Sequence, residues 1–201
     1  MKVAVLTPSY GDPKAQFVVS LLVMQEAVLT SRIVYNGAEL TPTLRIAFAI
    51  GNSRIDEARN NLAEAALNEG CDYVLWLDAD QTFPPDTLFR LAAHDLPIVG
   101  CNYAIRHNPN ALSSAWRDGK RIEPKDAGLE PVDVLGLGVC LVKRKVFETL
   151  PRPWFAPYRH GEDGYFCEKA RQHGIIPHVD HSLKVGHIDE TIRMLPQLAA
   201  S

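Results

Sequence analysis

Asp78 and Asp80 stand two positions apart at the end of the apolar run from Tyr73 to Leu77. Side chains alternate along an extended chain, so both carboxylates leave the strand on one side. Carboxylates so placed repel unless a cation lies between them. Oxygen donors of this kind suit Mg2+ or Mn2+. The plain alternative is a pair of solvated turn acids ahead of the next helix. The apolar strand before them and Phe83-Pro84-Pro85-Asp86 after them weigh against it.

A second acidic pair, Glu162-Asp163, lies between Gly161 and Gly164 at the start of a helix. The helix dipole favours acids there whatever their role. Adjacent acids between glycines also suit the close approach of a ligand to the backbone, and one of them can act as a general base. His187, in Val185-Gly186-His187-Ile188, is either a satisfied core or surface histidine or a ligand, and its sequence position alone does not join it to Asp80.

The first apolar run ends in Thr7-Pro8-Ser9-Tyr10-Gly11-Asp12. Polar groups after strand one commonly meet a nucleotide in α/β folds. Neither a G-x-G-x-x-G nor a Walker lysine loop is present, which disfavours Rossmann and P-loop chemistry. Arg59 falls at the edge of its helix's apolar face. An arginine turned partly inward needs an anionic partner, either a phosphate or a structural acid. The loop from Arg152 to His160 mixes aromatics with cations. Trp154 and Phe155 suit sugar rings or bases and are candidate acceptor contacts, with a hydrophobic lid packed on the core as the alternative.

These groups need elements to hold them. Lys2 to Leu6 reads as a buried strand ended by Pro8. Phe17, Leu21, Met24 and Val28 repeat at helical spacing within Phe17 to Leu29. Leu44 to Ile50 is a second strand, closed by Gly51. A helix follows, with Ser53 and Asp56 as its expected capping box and Gly70 as its stop. Tyr73 to Leu77 is a third strand, Asp86 to Ala93 a short helix and Pro97 to Cys101 a fourth strand. The alternation predicts a mostly parallel sheet with helices on both faces. The second half is more mixed. Strands are expected near Ala111–Trp116, Val132–Leu135 and Val139–Val142, and helices over Arg144–Leu150 and Glu162–His173. A last strand-like segment covers Ile175 to Val185. The chain reads as one domain, with a nucleotide-binding half over 1–102 and a mixed half over 103–201.

Of the 201 residues, 46% are hydrophobic and 22% charged, enough for a real core. The formal net charge of −3 offers no general attraction to nucleic acid or an anionic membrane. The run before Pro8 is too short for a signal-peptide core, and no stretch approaches the roughly 18 apolar residues of a membrane span. Cys71, Cys101, Cys140 and Cys167 are far apart, form no CxxC pair and read as buried free thiols. The expectation is a soluble cytoplasmic protein.

The ordered set resembles the GT-A glycosyltransferases, particularly the family 2-like group, over roughly residues 2–189. Its pieces are Thr7-Pro8-Ser9-Tyr10, Ala58-Arg59-Asn60, Trp76-Leu77-Asp78-Ala79-Asp80, Gly136-Leu137-Gly138 followed by Arg144-Lys145-Val146-Phe147, Pro153-Trp154-Phe155, Gly161-Glu162-Asp163 and Val185-Gly186-His187. The resemblance implies a divalent-metal-dependent transfer of a sugar from a nucleoside-diphosphate sugar, UDP- or GDP-linked, to an acceptor hydroxyl, with inversion. Asp80 and His187 would bind Mn2+ or Mg2+, and the histidine nitrogen tilts the choice to Mn2+. Asp78 would hold the ribose or a metal-bound water. Thr7, Pro8, Tyr10 and Arg59 would line the nucleotide site. Asp163 would be the base and Glu162 would position the acceptor, which could be a glycan, a small molecule or a modified nucleic-acid base.

Two other readings compete. A nucleotidyltransferase making a nucleotide-sugar usually carries a Gly-rich basic loop after strand one, and Pro8-Ser9-Tyr10-Gly11-Asp12-Pro13-Lys14 fits that poorly. A non-catalytic sugar-binding module would not need the Glu162-Asp163 pair.

Overall fold

The computed structural model describes residues 1–35, 37–105, 113–189 and, for backbone only, 192–193. The first half runs β1 (Lys2–Ser9), α1 (Ala15–Thr30), β2 (Ile33–Tyr35), β3 (Ala38–Leu40), β4 (Thr43–Ile50), α2 (Ile55–Asn68), β5 (Tyr73–Leu77), β6 (Gln81–Thr82), α3 (Thr87–Ala93) and β7 (Ile98–Cys101). The second runs β8 (Trp116–Arg117), β9 (Lys120–Arg121), β10 (Leu129–Pro131), β11 (Val139–Lys143), α4 (Arg144–Thr149), α5 (Gly161–Gln172), β12 (His178–Asp180), β13 (Gly186–Ile188) and β14 (Ile192–Arg193).

The main sheet has the order β10-β12-β7-β11-β5-β1-β4. It is mostly parallel: β4, β1, β5, β7 and β12 share one direction, and β11 and β10 run against it. Period-two alternation explains how the sheet is covered. Val3, Val5, Leu75 and Leu77 pack towards Phe17, Leu21, Met24 and Val28 of α1 and Leu88 and Leu91 of α3. Ala4, Leu6, Val74 and Trp76 point the other way, towards Ala63 and Ala66 of α2, Val146 and Phe147 of α4 and Phe166 and Ala170 of α5. β1 and β5 are therefore apolar on both faces, the pattern of strands covered by helices on each side.

Several sequence expectations change here. The fourth parallel strand, β7, does not sit beside β5. β11 is inserted between them, antiparallel to both. The hairpin of β2 and β3 lies where no element is expected. Ser53 and Asp56 form no capping box. The helix begins at Ile55, two residues past Ser53, and Asp56 instead pairs with Arg54 at 3.0 Å. Val132–Leu135 is not a strand; β10 precedes it, and Val134 makes a single bridge to Trp116. The final segment divides into β12 and β13, which belong to different sheets. Ala111 and Leu112, expected in a strand ending at Trp116, lie outside the described residues. All four cysteines are buried free thiols, as their apolar surroundings predict.

Candidate active site

The carboxyl ends of β1 and β5 open into a cleft of about 640 Å³. Parallel sheets place ligands at this end. A separate cavity of about 610 Å³, beside Met1, Tyr35 and Tyr73, lies at the opposite end of these strands and has Asp95 as its one carboxylate among the described residues.

Asp78 follows the last residue of β5. Its N–H donates to the Gly138 carbonyl at 2.8 Å, so the antiparallel neighbour β11 fixes where the turn begins. The turn closes with the Gln81 N–H on the Asp78 carbonyl, and the Lys14 N–H donates to the Ala79 carbonyl, tying the start of α1 to it. Tyr103 lies just past β7, and its hydroxyl accepts the Gly138 N–H at 3.1 Å. A Cβ on Gly136 would lie 2.3 Å from that hydroxyl, and one on Gly138 2.8 Å from it. The Gly136-Leu137-Gly138 segment is thus the cradle of a buried tyrosine. Gly136→Ala is expected to cost about 1–3 kcal/mol through overpacking, read as a lower urea midpoint at unchanged slope.

Helix α2 brings Arg59 and helix α5 brings Glu162 and Asp163 to the cleft floor. Arg59 is 1% exposed. Its Nη2 lies 3.0 Å from Asp78 Oδ1 and 3.6 Å from Asp163 Oδ1, and its Nε donates to Glu162 Oε1 at 3.1 Å. Burial works against its charge, but Asp163, Asp78 and Glu162 more than offset this and hold the guanidinium charged. Of the two partners open in the sequence, it takes structural acids. Burial also raises Asp78 above the usual carboxylate range, with Arg59 opposing. Asp163 is pushed up to about 7, first by burial and against the pull of Arg59. Its Oδ2 accepts the Leu137 N–H at 3.0 Å, while Oδ1 is buried without a hydrogen bond among the described residues. An anion so poorly solvated holds a proton near neutral pH.

The short strand β13 pairs with β6, Gly186 opposite Thr82 and His187 opposite Gln81, and the Ile188 N–H donates to the Asp80 carbonyl at 2.7 Å. This joins His187 to Asp80 across a span that sequence could not bridge. His187 Nδ1 lies 2.7 Å from the Ala104 carbonyl. A carbonyl only accepts, so Nδ1 carries the hydrogen and Nε2 is turned to Asp80 Oδ1 at 3.4 Å. Asp78 and Asp80 therefore leave the strand for different partners, the first to Arg59 and the second to His187.

Pro8, Tyr10, Arg59, Asp78, Asp80, Glu162, Asp163 and His187 all line the cleft. Thr7 is fully buried and does not. Trp154 and Phe155, expected at the acceptor, are 3% and 1% exposed and belong to the core. The Trp154 indole N–H donates to the carbonyls of Phe147 and Leu150, and Phe155 stacks on Phe166 at 4.9 Å. Asn60 holds the loop down, donating to the Phe155 carbonyl and accepting both the Trp154 and Phe155 N–H groups. Tyr103 and Lys14 line the cleft without having been singled out in the sequence. The position of Tyr103 just after a strand's carboxyl end is the signal that could have found it.

No protein-family model and no curated protein sequence matches the chain. Solved structures do. A197 from STIV is similar at a TM-score of 0.69 and 19% identity, over 100% of this chain and 97% of that one. The inositol-1-phosphate CTP transferase from T. maritima follows at 0.50 and 14%, over 94% and 89%. The fold is GT-A-like. S. aureus TarS is similar at 0.48 and 14% identity, over 90% of this chain and 57% of that one. In this GT-A-like chain the acidic groups and the histidine gather at the carboxyl end of the sheet. Among the described residues no helix is long and apolar enough to cross a membrane.

Proposed function

We propose that the protein is a divalent-metal-dependent transferase that moves a sugar from a nucleoside-diphosphate sugar to an acceptor hydroxyl with inversion. The observation that carries this reading is the convergence of Asp80, His187 and Asp163 on one cleft, with His187 Nε2 3.4 Å from Asp80 Oδ1 and burial raising Asp163 to about 7. A general base works best with a pKa near the working pH.

The donor set fits a divalent cation. No group of three His, Cys, Asp or Glu side chains close enough to hold a metal occurs among the described residues. Asp80 and His187 supply one oxygen and one nitrogen, and the Ala104 carbonyl fixes the imidazole as an outer partner of a metal ligand does. Two protein ligands leave positions for diphosphate oxygens and water, the usual arrangement for Mg2+, and the nitrogen favours Mn2+. Asp78 adds negative charge beside them. When bound, the cation would neutralise the charge of the departing diphosphate.

Tyr10, 67% exposed at the cleft rim, offers an aromatic face to the base, with Pro8 beside it. Glu162, held by Arg59, orients the acceptor. Asp163 takes the proton from the acceptor hydroxyl as its oxygen bonds to the anomeric carbon. The bond from that carbon to the phosphate oxygen breaks, and the nucleoside diphosphate leaves with the electron pair. Among the described residues the cations of this cleft, Lys14 and an Arg59 already matched by acids, suit a diphosphate with a metal better than a bare triphosphate.

A thermal-shift screen of UDP-, GDP- and dTDP-sugars, with and without Mn2+, tests this. One nucleotide class is expected to raise the midpoint by about 5–10 °C at a hundredfold excess over its Kd, and only with metal. Nucleoside diphosphate release should follow on adding acceptor. Pyrophosphate release from a nucleoside triphosphate would replace glycosyl by nucleotidyl transfer. Binding without turnover of any donor would leave a sugar-binding module.

A further inference from the structure

A second cavity of about 560 Å³ adjoins the cleft, and Asp163 and Tyr103 line both. The two spaces differ in charge. The cleft carries Asp12, Asp78, Asp80, Glu162 and Asp163 against Lys14 and Arg59. The second cavity carries Arg121 and Arg159 with the imidazole of His160, and Asp163 is its one carboxylate among the described residues. In a chain of net charge −3, such a cavity is a local reversal.

The basic groups are held in place. Hairpin β8–β9 presents Arg121, whose guanidinium lies 4.2 Å from the centre of the Trp116 ring and donates to the Ser113 carbonyl. The same Trp116 ring packs against His160 at 4.8 Å. Among the described residues no carboxylate pairs with Arg121, and partial burial alone weakens its hold on the proton. Arg159 is 71% exposed, and its nearest acid, Glu168, is 3.8 Å away. A half-buried arginine without a counter-ion is costly unless an anion arrives. Trp116, braced between the Arg121 guanidinium and the His160 ring, keeps Arg121 ready for one.

We propose that this cavity takes the acceptor and that the acceptor is anionic, a sugar or polyol bearing a phosphate or carboxylate as well as the reacting hydroxyl. This rests on the transfer reading above and adds the acceptor's class. Arg121 and Arg159 bind the anionic group, and the hydroxyl reaches Asp163 where the two cavities meet. The volume suits one or two sugar rings. The bond changes are those already given: the acceptor proton goes to Asp163, and the nucleoside diphosphate of the donor is the leaving group.

Calorimetry with glucose 6-phosphate, glucuronic acid and glucose tests the anion chemistry without turnover. At least one of the charged probes is expected to bind about tenfold or more tighter than glucose, and comparing the two tells phosphate from carboxylate. Arg121→Gln should weaken that probe by about tenfold and weaken UDP less. Arg159→Gln, at an exposed position where folding is not at risk, should weaken it by about two- to fivefold. Equal binding of charged and neutral sugars, or charged-probe binding unaffected by Arg121→Gln, overturns the proposal. With the donor found in the thermal screen, transfer to the favoured charged acceptor should exceed transfer to glucose, and Arg121→Gln should erase that preference. If glucose is the better acceptor, the acceptor assignment falls while donor transfer stands. If no donor turns over although the charged probe binds through Arg121, both the transfer reading and the acceptor role fall, and only the anion site remains.

Discussion

Asp163→Asn is expected to lower kcat by about 10²–10⁴ while nucleotide affinity changes by about twofold or less. The substitution keeps the shape. The asparagine oxygen can still accept the Leu137 N–H that Asp163 receives at 3.0 Å. What it loses is the capacity to take a proton. The pH profile sharpens the test. A base is active as the carboxylate, and burial has raised that of Asp163 to about 7. In the wild type kcat/KM should therefore fall as pH drops through about 7, approaching tenfold per unit below it. The residual activity of the variant should lose that limb. A variant with near-normal turnover sinks the inverting assignment. Equal losses of turnover and nucleotide affinity would make Asp163 a structural acid.

Arg59→Met is expected to destabilise the protein by about 3–5 kcal/mol at pH 8, because it leaves buried charge uncompensated. Arg59 faces Asp78, Glu162 and Asp163 together. Methionine fills much of the same volume, so the loss would report charge rather than a cavity. Its sign with pH distinguishes this from lost packing. Burial already raises the Asp78 and Asp163 carboxyls, and removing the cation raises them further. The folded variant then binds protons more tightly than the unfolded chain. Its stability recovers as pH falls from the raised folded pKa values towards the ordinary carboxylate range, and the deficit is largest above them. Urea unfolding at pH 8 and pH 5 measures this. A deficit that is the same at both values would assign the role of Arg59 to its contact with Trp76, over whose ring it sits at 5.0 Å.

The parts of the fold legible in the sequence were those governed by local period. Helix α1 follows from Phe17, Leu21, Met24 and Val28, and the doubly covered strands β1 and β5 from their unbroken apolar runs. The place of β11 was not legible, because strand pairing is set by long-range packing and not by any local pattern. Hairpin β2–β3 carries an Asn36-Gly37 turn signal between short β-branched and mixed runs, and that signal could have been used. At the cleft, Asp78, Asp80 and Asp163 announced themselves by residue type at element ends. Trp154 and Phe155 misled because an aromatic-rich loop reads alike whether it faces a sugar or the core. Asn60, which pins that loop by three hydrogen bonds, decides between the two and lies on a distant helix.

The spans bridged at the cleft floor bear on the order in which it can assemble. Arg59 and Asp78 are 19 residues apart, whereas Arg59 and Glu162 are 103 apart. Closing the longer loop sacrifices more chain entropy, and contacts of that reach form slowly. Loop entropy thus favours the guanidinium meeting Asp78 before α5 docks. The last carboxylates then arrive at a site already holding a cation, so the folding route of lower entropic cost is also the one that spares the acids from confronting each other bare.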